Sequence, residues 1–138
     1  MNRKLSSILL IDDSTADNYF HTIVLEEAGI TDHISSVQSG EEALTFLTAR
    51  TQKESPWPEL IFLDINMPKM NGWEFLEEYG KILLSKREQS VLILLTTSLN
   101  PEDRQKAMTH PMIDDFANKP LDERTIEHIL DNFFVDLL

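Results

Sequence analysis

Five apolar runs of strand length recur along this chain, each separated from the next by a stretch long enough to form a helix. This alternation limits the fold more than any other feature. Ser7–Ile11, Leu60–Leu63, Val91–Leu95 and Ile113–Ala117 read as strands, with His33–Val37 a weaker one. Several are apolar at consecutive positions, which suits strands covered on both faces, as in a parallel sheet between helices. The segments between them carry helix signals. Ala16, Tyr19, Phe20, Ile23 and Val24 follow the spacing of one helix face, and Gly29 is its expected stop. Ser39 and Asn71 each lie three residues before a glutamate, Glu42 and Glu74, the reciprocal pairing that satisfies free backbone donors at a helix start. Asn100 precedes Pro101, whose missing N–H costs nothing in a first turn. Ile126, Ile129, Leu130, Phe133, Phe134 and Leu137 form one stripe opposite Glu127, His128 and Asp131. The expected architecture is α/β, a (βα)5 parallel sheet. Residues 48–60, TARTQKESPWPEL, read as a surface loop in which Trp57 is a packing plug.

The chain has 138 residues, enough for one domain, and 41% of them are hydrophobic, so a packed core is expected. It contains no Cys, which removes disulfides and thiolate metal sites. The start, MNRKLSSILLIDD, is a poor signal peptide, because its apolar stretch is short and runs into two aspartates. With no apolar run of membrane-spanning length either, a cytoplasmic location is expected. A net charge of −12 repels phosphate backbones and anionic membranes, which argues against nucleic-acid or membrane binding.

The residues that follow the apolar runs are the ones to inspect, since open parallel sheets bind ligands at the carboxyl ends of their strands. They are Asp12-Asp13, Asp64, Thr96-Thr97-Ser98 and Asn118-Lys119-Pro120. A carboxylate ending a buried strand costs several kcal/mol, roughly, unless a partner offsets it. If the first and third strands are neighbours, Asp12, Asp13 and Asp64 converge, and their repulsion calls for a cation. An all-oxygen set suits Mg²⁺, with Mn²⁺ able to substitute, and Lys119 adds a further positive charge. A carboxylate so placed can attack a phosphoryl group, because cations neutralise the equatorial oxygens during in-line transfer. A hydroxyl such as that of Thr96 can then hydrogen-bond the bound phosphoryl oxygens.

The set Asp12-Asp13, Asp64 within LDINMPKMNG, Thr96 and Lys119-Pro120 resembles the receiver domain of two-component response regulators, in order and spacing, over essentially the whole chain. The resemblance implies a flavodoxin-like doubly wound sheet of strand order 2-1-3-4-5 in a single domain, residues 1–138, with no effector domain. It implies that Asp64 accepts a phosphoryl group from a sensor histidine kinase or a histidine phosphotransfer protein. Asp13 and Asp64 would bind Mg²⁺ directly with the backbone carbonyl of Asn66, and Asp12 would assist through water. Thr96 and Lys119 would contact the phosphoryl group; Thr97 and Ser98 compete with Thr96 by position, and the family's pattern selects Thr96. Ser98 and Asn66 would tune the lifetime of the acyl phosphate. Phe116 falls where receivers carry a ring that turns inward when Thr96 is drawn to the phosphoryl group. The family often holds the Lys-Pro bond cis. Output would pass to a downstream protein through the surface of the fourth helix, fifth strand and fifth helix, so the chain is expected not to be an enzyme beyond its own phosphorylation and dephosphorylation.

Three rival readings differ in class. An aspartyl-nucleophile phosphatase places a second acid two residues after the nucleophile, where this chain has Asn66. A phosphorylation-independent interaction domain would not need the acidic set at all. A flavin carrier of the same topology needs a Ser/Thr/Gly-rich loop after the first strand, and DDSTAD would repel its phosphate. A monomer or a weak homodimer is expected, the latter if the carboxy-terminal aromatic stripe extends beyond the core.

Overall fold

The computed structural model describes residues 4–50, 57–83, 90–97 and 100–137. Strands and helices alternate: β1 (Ile8–Ile11), α1 (Thr15–Ala28), β2 (Ile34–Val37), α2 (Gly40–Arg50), β3 (Leu60–Leu63), α3 (Gly72–Leu83), β4 (Val91–Thr96), α4 (Pro101–Thr109), β5 (Asp115–Asn118) and α5 (Glu123–Phe133), followed by a 3-10 turn, Val135–Leu137. All strand pairings are parallel, in the order β2-β1-β3-β4-β5. This is the doubly wound flavodoxin-like arrangement that the resemblance implies.

Side-chain alternation along the strands divides the core in two. Leu9, Ile11, Ile61, Leu63, Leu92 and Leu94 pack with α2 and α3 on one face. Ile8, Leu10, Leu60, Phe62, Ile93 and Leu95 pack with Leu25 of α1 and with Ile126, Ile129 and Leu130 of α5 on the other. Each such side chain, fully buried, contributes about 1.5–3 kcal/mol. Because both faces are covered, β1 and β3 are apolar at every position, and only their ends can carry charge.

The predicted helix starts form. Glu74 and Asn71 exchange hydrogen bonds at 2.9 and 3.0 Å. Ser39 Oγ accepts the Glu42 N–H at 3.0 Å, while the Glu42 carboxylate turns to the Gln38 N–H. Asn100 Oδ1 accepts the Asp103 N–H at 2.8 Å. Gly29 ends α1 in a left-handed conformation, φ 66°. Trp57 is buried, as a plug should be.

Two expectations need correction. On α1 the inward residues are Asn18, His21 and Leu25, while Tyr19 and Phe20 are 71% and 47% exposed. The last strand spans Asp115–Asn118 rather than Ile113–Ala117, because the chain is still turning at Ile113, whose N–H donates to His110 O at 3.2 Å. The terminal stripe is largely spent within the domain, with Ile126, Ile129, Leu130 and Phe134 all buried. No helix among the described residues is long and apolar enough to cross a membrane.

Candidate functional site

β1 and β3 pair in register from Ile8 with Leu60 to Ile11 with Leu63, so the next residues, Asp12 and Asp64, emerge side by side. The Asp64 N–H extends the ladder by donating to Ile11 O at 3.0 Å. Asp12, Asp13 and Asp64 each bring a carboxylate oxygen within 4.8 Å of the other two. Asp12 and Asp64 are buried and Asp13 is exposed, so the cluster opens to solvent on one side.

β5 delivers the counter-charge. The Lys119 N–H donates to Thr96 O at 2.8 Å, and the Lys119-Pro120 bond is cis. The ammonium then reaches Asp12 Oδ2 at 2.6 Å and Asp64 Oδ2 at 3.0 Å. Burial by itself would lower the Lys119 pKa, but hydrogen bonds to Asp12, Asp17 and Asp64 reverse the effect and raise it, so the group stays charged. Burial raises the Asp12 pKa, opposed by the Lys119 ammonium and the Ser14 N–H.

The two oxygens of Asp64 differ in surroundings. Oδ1 accepts the Asn66 N–H at 3.0 Å and Oδ2 faces Lys119. Asn66 extends an amide toward Thr96, Nδ2 to Oγ1 at 3.5 Å, and Thr96 is only 1% exposed. The loop after Asp64 folds back at Gly72, whose N–H donates to Ile65 O at 3.0 Å. A Cβ there would stand 2.6 Å from Ile65 Cα, so no larger residue fits this close approach.

The donor set passes a simple chemical test. Three carboxylates with one open side offer hard oxygen ligands and room for water, which suits Mg²⁺. No Cys exists in the chain and no His belongs to the cluster, so nothing favours a softer metal.

Residues 8–131 match the model of the family described as response regulator receiver domain. The chain belongs to that family. This receiver is 38% identical to response regulator Rcp1 of Synechocystis over 97 residues, which cover 70% of the chain and 65% of Rcp1, just under two thirds of that relative. A two-component response regulator from Cytophaga hutchinsonii has a similar structure, with TM-score 0.86, 32% identity, and coverage of 94% of this chain and 96% of its own. So has the receiver domain of the histidine kinase CKI1 from Arabidopsis thaliana complexed with Mg²⁺, with TM-score 0.73, 26% identity, and coverage of 89% and 90%. The chain is thus a receiver domain of two-component signalling.

Of the receiver's predicted site residues, Asp12, Asp13, Asp64 and Lys119 lie together, and Asn66 and Thr96 adjoin them. Phe116 belongs to the apolar packing. It packs against the core beside Leu94's face of the sheet, the face to which alternation also assigns Thr96, and lies 5.3 Å from the Arg104 guanidinium. Ser98 lies outside the described residues. Two residues of α1 escaped sequence reasoning. Asn18 Nδ2 donates to Asp12 O at 2.9 Å and Val37 O at 3.2 Å, tying α1 to the ends of β1 and β2. Asp17 reaches Lys119 at 2.8 Å, and its only trace in the sequence is the acidity of DDSTAD.

Proposed function

We propose that this receiver is a phosphoacceptor in which Asp64 takes a phosphoryl group from a phosphohistidine on a sensor histidine kinase or histidine phosphotransfer protein. The observation that carries this reading is the convergence of Asp12, Asp13 and Asp64 around the Lys119 ammonium. Asp13 and Asp64, with the Asn66 carbonyl, would hold Mg²⁺ (or Mn²⁺), and Asp12 would support it. When bound, the ion supplies charge neutralisation at the phosphoryl oxygens.

The chain's own residues account for the rest. The Asn66 N–H fixes one Asp64 oxygen, so the carboxylate presents Oδ2 in a set direction. In transfer, a bond forms from an Asp64 oxygen to phosphorus as the donor's P–N bond breaks, and the imidazole leaves with that electron pair. Lys119 is placed to balance the transferred group, which brings about −1.5 to −2 charges. Thr96 would then shift toward a phosphoryl oxygen, and Phe116 would follow it inward. The surface of α4, β5 and α5 would thereby change for a downstream protein. Ser98 and Asn66 would set how long the acyl phosphate lasts. Cytoplasmic placement and a single domain over 1–138 belong to this reading.

The phosphatase alternative finds less support, since an amide at Asn66 cannot transfer the proton that sustained ester turnover requires. Incubation with acetyl phosphate and Mg²⁺ tests the proposal. Intact mass spectrometry is expected to record one added phosphoryl group, absent when Mg²⁺ is chelated before the donor is added and absent from Asp64→Asn. Unchanged labelling of Asp64→Asn would refute it.

A further inference from the structure

Lys119 has three N–H donors, and each meets a different carboxylate: Asp12 at 2.6 Å, Asp17 at 2.8 Å and Asp64 at 3.0 Å. Asp12 and Asp64 belong to the three-carboxylate cluster, and Asp17 does not. Its position is built by the turn between β1 and α1. Asp12 Oδ1 accepts the Ser14 N–H at 2.9 Å, and Ser14 Oγ accepts the Asp17 N–H at 3.1 Å, which caps the helix. One turn therefore points two carboxylates at one ammonium. An acid in a first helical turn is ordinary, because the macrodipole favours it. An acid there that also engages a partly buried lysine from a strand end 102 residues away has a second effect to explain.

We infer that Asp17 is a positioning residue that restrains Lys119 and so slows the entry of an anionic phosphoryl group at Asp64. The inference rests on the phosphoacceptor reading above. A phosphoryl group arrives with three acceptor oxygens and needs an N–H from Lys119, whose donors are already taken. Asp17 answers part of the lysine's charge and adds a further carboxylate near the incoming anion. Its side chain is 41% exposed, so the repulsion reaches solvent, where it acts on the approach of the donor and is open to screening by salt.

The test is the rate at which the full chain is phosphorylated at saturating Mg²⁺, followed by intact mass, for the wild type and for Asp17→Asn, Asp17→Ala and Asp17→Glu. With acetyl phosphate at low salt the Asn and Ala variants should react roughly three- to tenfold faster, and the Glu variant should stay within about twofold of the wild type. The gain should shrink toward unity near ~1 M salt, where the Debye length falls to ~3 Å, and should be smaller for the less negative phosphoramidate. Having two neutral variants guards against one that folds poorly, which circular dichroism would reveal. Neutral variants that react no faster than a labelled wild type would overturn the inference and leave the phosphoacceptor reading intact. A wild type that takes up no label would overturn both.

Discussion

The two ends of the sheet hold their polar groups in different ways. At the amino end their partners are mainly backbone. The Asp114 carboxylate accepts the Leu92 N–H at 2.8 Å, Thr31 Oγ1 donates to Leu5 O at 2.9 Å, and Ser6 Oγ donates to Trp57 O at 3.0 Å. Trp57 Nε1 donates to Ser90 Oγ at 3.0 Å, and the Ser90 hydroxyl donates on to Pro58 O. At the carboxyl end charges join the backbone partners: Asp12 and Asp64 accept the Ser14 and Asn66 N–H groups and, with Asp17, share one ammonium. Backbone partners cannot leave without local unfolding, so the amino end contributes stability. Charged partners can be exchanged without unfolding, which is why the proposed phosphoacceptor chemistry is assigned to the carboxyl end.

This contrast can be broken by substitution. The largest expected effect is at the amino end, where Trp57→Ala should cost ~3–5 kcal/mol in chemical denaturation, the usual penalty for a large core truncation. Mg²⁺ affinity of the folded fraction should not change; a parallel loss of affinity would mean that the two ends are not separable. Next comes Asp13→Asn, expected to weaken Mg²⁺ binding at least ~10-fold by calorimetric titration, since it removes a proposed ligand from the cluster, with the midpoint of unfolding almost unmoved. Gly72→Ala lies between the two behaviours, because the new methyl meets Ile65 backbone directly beside Asp64. It should cost ~1–3 kcal/mol and slow phosphorylation as well.

The smallest effect concerns pH. Burial lowers the His21 pKa, with Asp17 pulling it up and Lys119 pushing it further down. The folded state therefore holds His21 neutral where the unfolded chain would take up a proton. Its contribution is fully present above the unfolded value, about pH 6.5, and is lost as pH falls below it toward the lowered value. Stability measured across that window should decline less steeply in His21→Gln than in the wild type.

The sequence announces the strand-end acids more clearly than their surroundings. β1, β3 and β4 are continuous apolar runs that stop abruptly on polar residues, so the sheet and the positions of Asp12 and Asp64 can be read directly, whereas only the family's pattern separates Thr96 from Thr97 and Ser98. β2 is ISSV at a sheet edge, only partly buried, and gives a faint signal for that reason. α1 misleads because its inward face near the site is built of Asn18 and His21, whereas apolar Tyr19 and Phe20 face out. Periodicity assumes that buried means apolar, and the assumption fails where a helix serves a polar site. Asp17 is hidden for another reason: its partner is set by the fold, and no local spacing encodes Lys119.

The most direct measurement is chemical mapping of the acyl phosphate. After incubation with acetyl phosphate and Mg²⁺, borohydride reduction converts a phosphorylated aspartate to homoserine, which peptide mass spectrometry can place in the chain. The account predicts homoserine at position 64 alone, and none when Mg²⁺ is chelated. Homoserine at another aspartate, or equal conversion without the ion, would contradict it.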